Sequence, residues 1–466
     1  MIDLLKLCGF EANEIESDLP RIKKTFDKLG INPDDIKCAK QRLNKYYDME
    51  LTGIRKAFRL YIKAIVNMVL AKEDGKTKII YGYMAPAVPA IASALMYKSK
   101  EVFIARPFQI VRTLLGYMFD KMSSVFDAAE QKWLRSGKVA HCGNLKSVVG
   151  IITSDLVPKP DILLTTGHLC DIAPKIGEML GEFYDIPVYY YDTCQDRSFS
   201  EYPRADNVVN LSANNMRRFS LKLQEVLNVE ITDAILLESL QSLDELGDYV
   251  RRIYTLLETS DPLPISPANE MIWRSLSLLP LGIDNIQEPL DALRTLYEEL
   301  KERVNQGVGV VEKGAPRIMT LLPPHTTDPR LEHLICDLGL SLACTEGSFY
   351  PPNGRRTADV EKTKDPYKIM SLCLLNSMYD TTGGRISTLV ETCRRLKIDG
   401  VLARYHVGCR TITGDPILIK NALVEELGIP VQLFEWESFD SRVYDHEMYK
   451  RKLELFKTIM DTRLKS

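Results

Sequence analysis

Short apolar runs alternate with helical stretches from Lys76 onward, and this alternation is the feature that most constrains how the chain folds. Apolar strands between helices are typical of a parallel sheet that is covered on both faces. We therefore predict an α/β fold, with a long helical stretch from Phe108 to about Ser136. The runs that predict strands are KTKIIYGY, VFIA, KVAHC, DILLTTG, IPVYYYD, RIMTLLPP, SLACTEG, DGVLARYHVGC and IPVQLFEWES.

The alternation occurs in two blocks, which helical sequence precedes and separates. Residues 1–75 and 205–314 carry apolar residues at helical spacing, so they predict an N-terminal helical cap and a helical connection. Residues 76–204 and 315–466 predict two doubly wound parallel-sheet units of the flavodoxin or Rossmann type. Residues 161–192 and 399–436 share one local pattern of strand, cysteine-bearing loop, helix and strand, which indicates that the two units are related.

Charge and hydropathy exclude several classes of protein. The 60 basic and 63 acidic residues leave a net charge of −3, so we expect no nucleic-acid footprint. The N-terminal segment lacks the apolar run of a signal peptide, and the run from Ile62 to Leu70 is too short to span a bilayer. We therefore expect a cytoplasmic protein without a membrane segment. Reducing systems there keep thiols from pairing, so its ten cysteines are structural, catalytic or metal-ligating.

Cys142, Cys170 and Cys409 each follow a predicted strand and precede a predicted helix. Loops at the carboxyl ends of parallel strands converge, and helix N-termini stabilise thiolates, so these positions favour a shared thiolate site between the units. The spacings of 28 and 239 residues are unlike those of a compact ferredoxin or zinc motif. Thiolates are the ligands that iron–sulfur clusters select, although each cysteine alone is equally consistent with a buried structural thiol.

Three segments that contain these cysteines resemble ligand segments of the 2-hydroxyacyl-CoA dehydratase and benzoyl-CoA reductase family. They are HCGNLKSVVG, DILLTTGHLCDIAPKIGEMLGEFYDIPVYYYD and DGVLARYHVGCRTITGDPILIKNALVEELGIPVQLFEWESFDSRVYDHEMYKRKLELF, within a resemblance that covers roughly residues 76–460. The resemblance implies that Cys142, Cys170 and Cys409 bind a [4Fe–4S] cluster whose fourth iron is open to a substrate oxygen. It also implies a D-component type subunit that passes a low-potential electron to an acyl-CoA thioester.

The same resemblance implies partners and leaves alternatives open. The expected partners are a related second subunit or a second copy of this chain, and an ATP-hydrolysing activator iron–sulfur protein. This chain has no GxxxxGK[ST] motif, so ATP is used on another protein. The alternatives are an aryl-CoA reductase, a double-cubane-cluster reductase of small unsaturated molecules, and a non-catalytic electron-transfer or structural subunit.

Several further residues have both a functional and a structural interpretation. His168 and His406 lie two and three residues before a candidate ligand, where a histidine can transfer protons or simply bond to the backbone. Cys194 is an additional ligand or a loop thiol, and Arg355 and Arg356 lie near CoA phosphates or in a solvated loop. The segment from Ala85 to Pro89 lacks the carboxylates that are common there in the family. We expect a core position for the thiols of Cys8, Cys38, Cys336, Cys344, Cys373 and Cys393.

Overall fold

A computed structural model of the chain contains two four-stranded parallel sheets within the residues it describes, and helices surround them. The predicted α/β fold with two parallel-sheet units is therefore confirmed. The described residues are 1–82, 88–132, 142–167, 170, 172–192, 206–322, 324–349, 360–375, 382–406, 409 and 414–465.

The N-terminal region is helical, with α1 (Ile2–Leu7), α2 (Ala12–Lys28), α3 (Pro33–Tyr46) and α4 (Thr52–Val69). The side chain of Asn32 accepts hydrogen bonds from two backbone N–H groups in the first turn of α3, and the Asp35 carboxylate accepts the N–H of Asn32. This reciprocal cap satisfies donors that a helix start leaves without partners. Gly53 of α4 contacts a later helix so closely that a Cβ there would lie 2.5 Å from the Cβ of Leu296.

The first unit consists of a sheet with the strand order β2-β1-β3-β4 and the helices around it. Its strands are β1 (Lys78–Gly82), β2 (Val102–Ala105), β3 (Ile162–Thr165) and β4 (Val188–Tyr190). Its helices are α5 (Val88–Lys98), α6 (Pro107–Val111), α7 (Met122–Lys132), α8 (Gly143–Thr153) and α9 (Ile172–Tyr184). The strand predicted at KVAHC lies outside the described residues except for Cys142.

The long helical stretch predicted from Phe108 to about Ser136 is helical over most of its described part, but it is not one continuous α-helix. The helix α6 passes into a π-helical segment, Arg112–Met118, and a turn with Asp120 at φ 55° separates this segment from α7. Side-chain periodicity does not distinguish these forms, because a π-helical turn changes the local hydrogen bonding without removing the apolar stripe. Every residue of the π-helical segment is buried.

A helical connection leads to the second unit, whose sheet has the order β6-β5-β7-β8. The connection contains α10 (Asp206–Leu227), α11 (Asp233–Thr259), α12 (Glu270–Arg274) and α13 (Gln287–Gln306). The strands are β5 (Arg317–Thr320), β6 (Ser341–Thr345), β7 (Gly400–His406) and β8 (Val431–Trp436). The helices are α14 (Arg330–Asp337), α15 (Pro366–Leu375), α16 (Thr382–Leu396), α17 (Asp415–Leu427) and α18 (His446–Lys465).

The two sheets share a detail beyond their strand order. The backbone N–H of Ile79 in β1 donates to Asp161 Oδ2 at 2.8 Å, and the N–H of Arg317 in β5 donates to Asp399 Oδ2 at 2.7 Å. Each aspartate lies just before the next strand of its sheet, and its own N–H donates back to the same residue at 2.7 Å. The same reciprocal pair at the same place in both sheets supports the interpretation that the units are related.

Most of the cysteines expected in the core are buried, but Cys38 is exposed and Cys336 is half-buried. The prediction for Cys38 is wrong because α3 turns Ala39 and Leu43 inward, which leaves position 38 on the solvent side. Among the described residues, no helix combines the length and the apolar character needed to cross a membrane.

Candidate functional site

Loops at the carboxyl ends of β5 and β8 contact the first unit along a seam between the two sheets. A Cβ on Gly116 of the π-helical segment would lie 2.8 Å from the Cα of Thr327, in the loop after β5. A Cβ on Gly143, at the start of α8, would lie 2.8 Å from Glu437 Oε1, directly after β8. Any side chain at these two positions would force the partner loop to shift. The two units are therefore in close contact along the seam.

Cys142 lies at this seam as the N-cap residue of α8, with φ −65° and ψ 148°. Burial raises the pKa of its thiol to about 12, and hydrogen bonds from the backbone N–H groups of Leu145 and Asn144 act in the opposite direction. Two amide donors and a helix N-terminus favour a negative sulfur, whereas burial disfavours it. A thiolate is therefore expected at Cys142 when a bound cation compensates its charge.

The structure brings Cys170 close to Cys142, and the charge of Cys170 contributes to the raised pKa of the Cys142 thiol. Cys170 is half-buried and lies two residues before α9. Both thiols therefore lie beside helix starts, as the sequence predicts. Cys409 is also half-buried, and its N–H donates to the carbonyl of His406 at 3.1 Å.

Contacts through two side chains connect Cys409 to the start of α8. His406 Nδ1 lies 3.8 Å from Glu437 Oε1, and Glu437 Oε2 accepts the N–H of Gly143 at 3.2 Å. The carboxylate that accepts a hydrogen bond from the start of α8 therefore also lies close to His406, three residues before Cys409. The assignment of Cys142 and Cys409 as ligands stays a prediction.

No three His, Cys, Asp or Glu side chains among the described residues converge as ligands of a single metal ion. Thiolates around one tetrahedral ion lie about 4 Å apart, whereas a cluster distributes its thiolates over several metal atoms. A mononuclear site within the described part of the chain is therefore unsupported.

Glu437 is a site residue that the sequence interpretation missed. It is buried beside Cys142, and burial raises the pKa of its carboxyl to about 7, while the N–H groups of Phe439 and Gly143 act to lower it. A carboxyl with such a pKa exchanges a proton near neutral pH. In the sequence, Glu437 lies near the end of the predicted strand IPVQLFEWES, and nothing there indicates that it is buried.

His406 is buried at the end of β7, and its ring has a defined hydrogen-bonding role. Its Nδ1 accepts the N–H of Ser438 at 3.4 Å, so the neutral ring carries its proton on Nε2. The ring also packs against Phe439, with 5.4 Å between centroids. His168, Cys194, Arg355 and Arg356 lie outside the described residues, as do Ala85, Pro86 and Ala87.

A charged network lies behind Glu437 and joins the two units. Arg442, after β8, donates to Asp440 Oδ2 and to Glu130 Oε1 of α7, each at 2.6 Å. Lys146 Nζ of α8 lies 3.0 Å from Glu130 Oε1 and 3.4 Å from Asp440 Oδ2. Burial acts to raise the pKa of both carboxyls, but the bonds to Arg442 and Lys146 outweigh burial and lower it. Both carboxylates therefore stay charged and fasten α7 and α8 to the second unit.

Arg112 of the π-helical segment is a second buried residue that the sequence interpretation missed. Its guanidinium lies 4.8 Å from the ring centroid of Phe439 and donates to Asn144 Oδ1 at 3.1 Å. Asn144 lies in the first turn of α8, so Arg112 fixes the helix start that carries Cys142. π-helical segments occur frequently at functional sites, which agrees with this position.

Comparisons with known proteins give this site a family context. A family model described as "2-hydroxyglutaryl-CoA dehydratase, D-component" matches residues 113–459, which include all three candidate cysteines and Glu437. The chain is also 20% identical to the (R)-2-hydroxyisocaproyl-CoA dehydratase alpha subunit of Clostridioides difficile. That similarity extends over 314 residues, which are 66% of this chain and 73% of the relative. The chain belongs to the 2-hydroxyglutaryl-CoA dehydratase D-component family.

Proposed function

We propose that this chain is an iron–sulfur subunit of a complex that dehydrates a 2-hydroxyacyl-CoA thioester, and that Cys142, Cys170 and Cys409 hold the cluster. The observation that carries the proposal is the pair of neighbouring thiols, Cys142 and Cys170, beside two helix starts at the seam of a chain from this family. Convergent thiols at helix N-termini suit the thiolate ligands of an iron–sulfur cluster.

The surroundings of Cys142 fit such a cofactor. The thiol is buried and has a raised pKa, yet two backbone N–H groups donate to its sulfur, so the site stabilises a thiolate once metal compensates the burial. A [4Fe–4S] cluster with three protein thiolates would supply a one-electron carrier and one iron open to a substrate oxygen. The side chains of this chain would then bind the substrate and transfer its protons.

Dehydration removes a proton from the acyl chain and a hydroxyl group, so the site needs proton acceptors and donors. Glu437, with a pKa of about 7, can accept or release a proton at neutral pH. His406 presents the proton on Nε2, because its Nδ1 accepts the N–H of Ser438. Their oxygen and nitrogen atoms lie 3.8 Å apart, so a change in the charge of one affects the other.

The proposal includes partners and a compartment. The C. difficile relative is named an alpha subunit, which supports the existence of a second subunit for the present chain. We place the source of the low-potential electron on a separate ATP-hydrolysing activator, since this sequence has no phosphate-binding P-loop. A reducing cytoplasm suits exposed thiols such as Cys38.

The direct test measures the iron and sulfide content of anaerobically purified variants, each with one cysteine replaced. Cys142→Ser, Cys170→Ser and Cys409→Ala are each expected to lose most of the bound iron. Cys393→Ala is the matched control, because this thiol is buried in the second unit against Met319 and away from the seam. Unchanged iron in Cys409→Ala would contradict the ligand assignment.

The same preparation distinguishes the alternative functions. About four irons per chain and conversion of a 2-hydroxyacyl-CoA to the enoyl-CoA support a dehydratase. About eight irons per chain support a double-cubane reductase, and reduction of an aromatic acyl-CoA supports the reductase branch. Acyl-CoA binding by the second subunit alone supports a non-catalytic role for the present chain.

A further inference from the structure

A cavity lies between α8 and α9, the two helices that Cys142 and Cys170 precede. Val148 and Ile152 of α8 form one wall, and Ala173 and Ile176 of α9 form the opposite wall. Ala173 is three residues beyond Cys170, so their Cα atoms are at most about 11 Å apart. The cavity therefore begins close to the candidate cluster site and extends toward the sheet.

The walls of the cavity are apolar, with two exceptions. Among the described residues that line it, none carries a charge. Tyr81 at the end of β1 and Thr165 at the end of β3 are 1% and 3% exposed, and both contribute to the lining. Neither hydroxyl oxygen has a hydrogen-bond partner within the described part of the chain. Buried hydroxyl groups in folded proteins nearly always bond to protein, water or ligand, so these two can bind a polar atom of an occupant.

We propose that this cavity binds the short aliphatic end of the acyl group and thereby selects an uncharged 2-hydroxyacyl-CoA. The inference rests on the proposed function, because it assumes that a CoA thioester reaches the thiol pair. The cavity volume of about 30 Å³ is room for roughly two water-sized groups, which fits a short alkyl tail. A hydroxyl or carbonyl oxygen of the acyl group is the polar atom that Tyr81 and Thr165 would bind.

The apolar lining also determines which acyl groups bind weakly. A carboxylate in an apolar cavity loses its hydration, and the lining described here offers no cation to compensate this loss. An acyl group that ends in a carboxylate is therefore expected to bind more weakly than an alkyl group of the same length. The cavity therefore predicts a substrate without the second carboxylate of 2-hydroxyglutaryl-CoA, which the description of the family model names.

The test measures binding of unreactive acyl-CoA thioesters to the full chain by calorimetry, without the activator. Pentanoyl-CoA is expected to bind at least tenfold more tightly than glutaryl-CoA, which has the same number of acyl carbons. Each buried methylene contributes about fourfold to affinity. Ile152→Ala removes three carbons from the cavity wall, so it is expected to raise the affinity for heptanoyl-CoA relative to pentanoyl-CoA by about tenfold.

Ile151→Ala is the matched control, because Ile151 is the adjacent buried residue of α8 and does not line the cavity. It is expected to leave the chain-length preference unchanged while it removes the same side-chain volume. If both variants behave alike and glutaryl-CoA binds as well as pentanoyl-CoA, the cavity assignment is overturned and the proposed function stands. If no acyl-CoA binds, with or without the second subunit, both are overturned.

Discussion

Arg442 is expected to determine how firmly the two units close on the candidate site. Its guanidinium bonds to Asp440 and Glu130, whose side chains are 2% and 5% exposed, so both carboxylates depend on it for charge compensation. Breaking a buried ion pair by removing one partner costs about 3–5 kcal/mol, because the remaining charge stays buried. Lys146 still contacts both carboxylates, which places the expected loss for Arg442→Met near the lower limit, at about 3 kcal/mol.

Differential scanning calorimetry of the purified chain measures this effect. A loss of about 3 kcal/mol corresponds to a fall of roughly 6–12 °C in the midpoint of the first unfolding transition. Arg442→Lys keeps the charge but not the bidentate geometry, so its unfolding midpoint is expected to fall by less than that of Arg442→Met. Arg252→Met removes an exposed ion pair with Asp248 and is expected to change stability by at most about 0.5 kcal/mol. If Arg442→Met is no less stable than Arg252→Met, the network does not hold the units together.

Two further perturbations test His325, a buried residue in the loop after β5, and the start of α8. Burial lowers the pKa of His325 to about 4, below its unfolded value, so its contribution to stability is full above about pH 6.5 and is lost as the pH falls toward 4. In His325→Asn, the new side chain keeps an acceptor for the N–H of Thr327. For this variant, a plot of unfolding free energy against pH should be flatter over that range. An unchanged slope would show that His325 does not cause the pH dependence. Gly143→Ala places a Cβ 2.8 Å from Glu437 Oε1 and should lower both thermal stability, by about 1–3 kcal/mol, and bound iron. Gly414→Ala, at a helix start with open space around it, is the control and should change neither.

The strand positions were largely predictable because the buried parallel strands are short apolar runs that alternate with longer helical patterns. The local echo between residues 161–192 and 399–436 corresponds to β3-α9-β4 and β7-α17-β8, which occupy the same places in the two sheets. The π-helical segment Arg112–Met118 within the predicted helical stretch was not predictable from residue spacing, and it contacts the second unit, for example through the hydrogen bond from Tyr117 to the carbonyl of His325.

The candidate thiols were accessible to sequence reasoning because each follows a predicted strand and precedes a predicted helix. Glu437 was not, since its role depends on contact with Gly143, which is 294 residues away. Arg112 has the same limitation, because a charged residue in an isolated sequence gives no sign that it is buried. The role of Arg442 depends on its bond to Glu130, which is 312 residues away. Tertiary contacts create these environments, and only the structure shows them.

The seam between the units has a consequence for the order in which the site is assembled. Cys142 and Cys170 belong to one sheet unit and Cys409 to the other, and Glu437 bridges them only when the loop after β8 reaches Gly143. A chain in which only the first unit has folded would present two thiols and no bridging carboxylate. If these cysteines bind a cluster as proposed, the complete set of ligands exists only after both units have folded and closed, so metal would load late in the maturation of the chain.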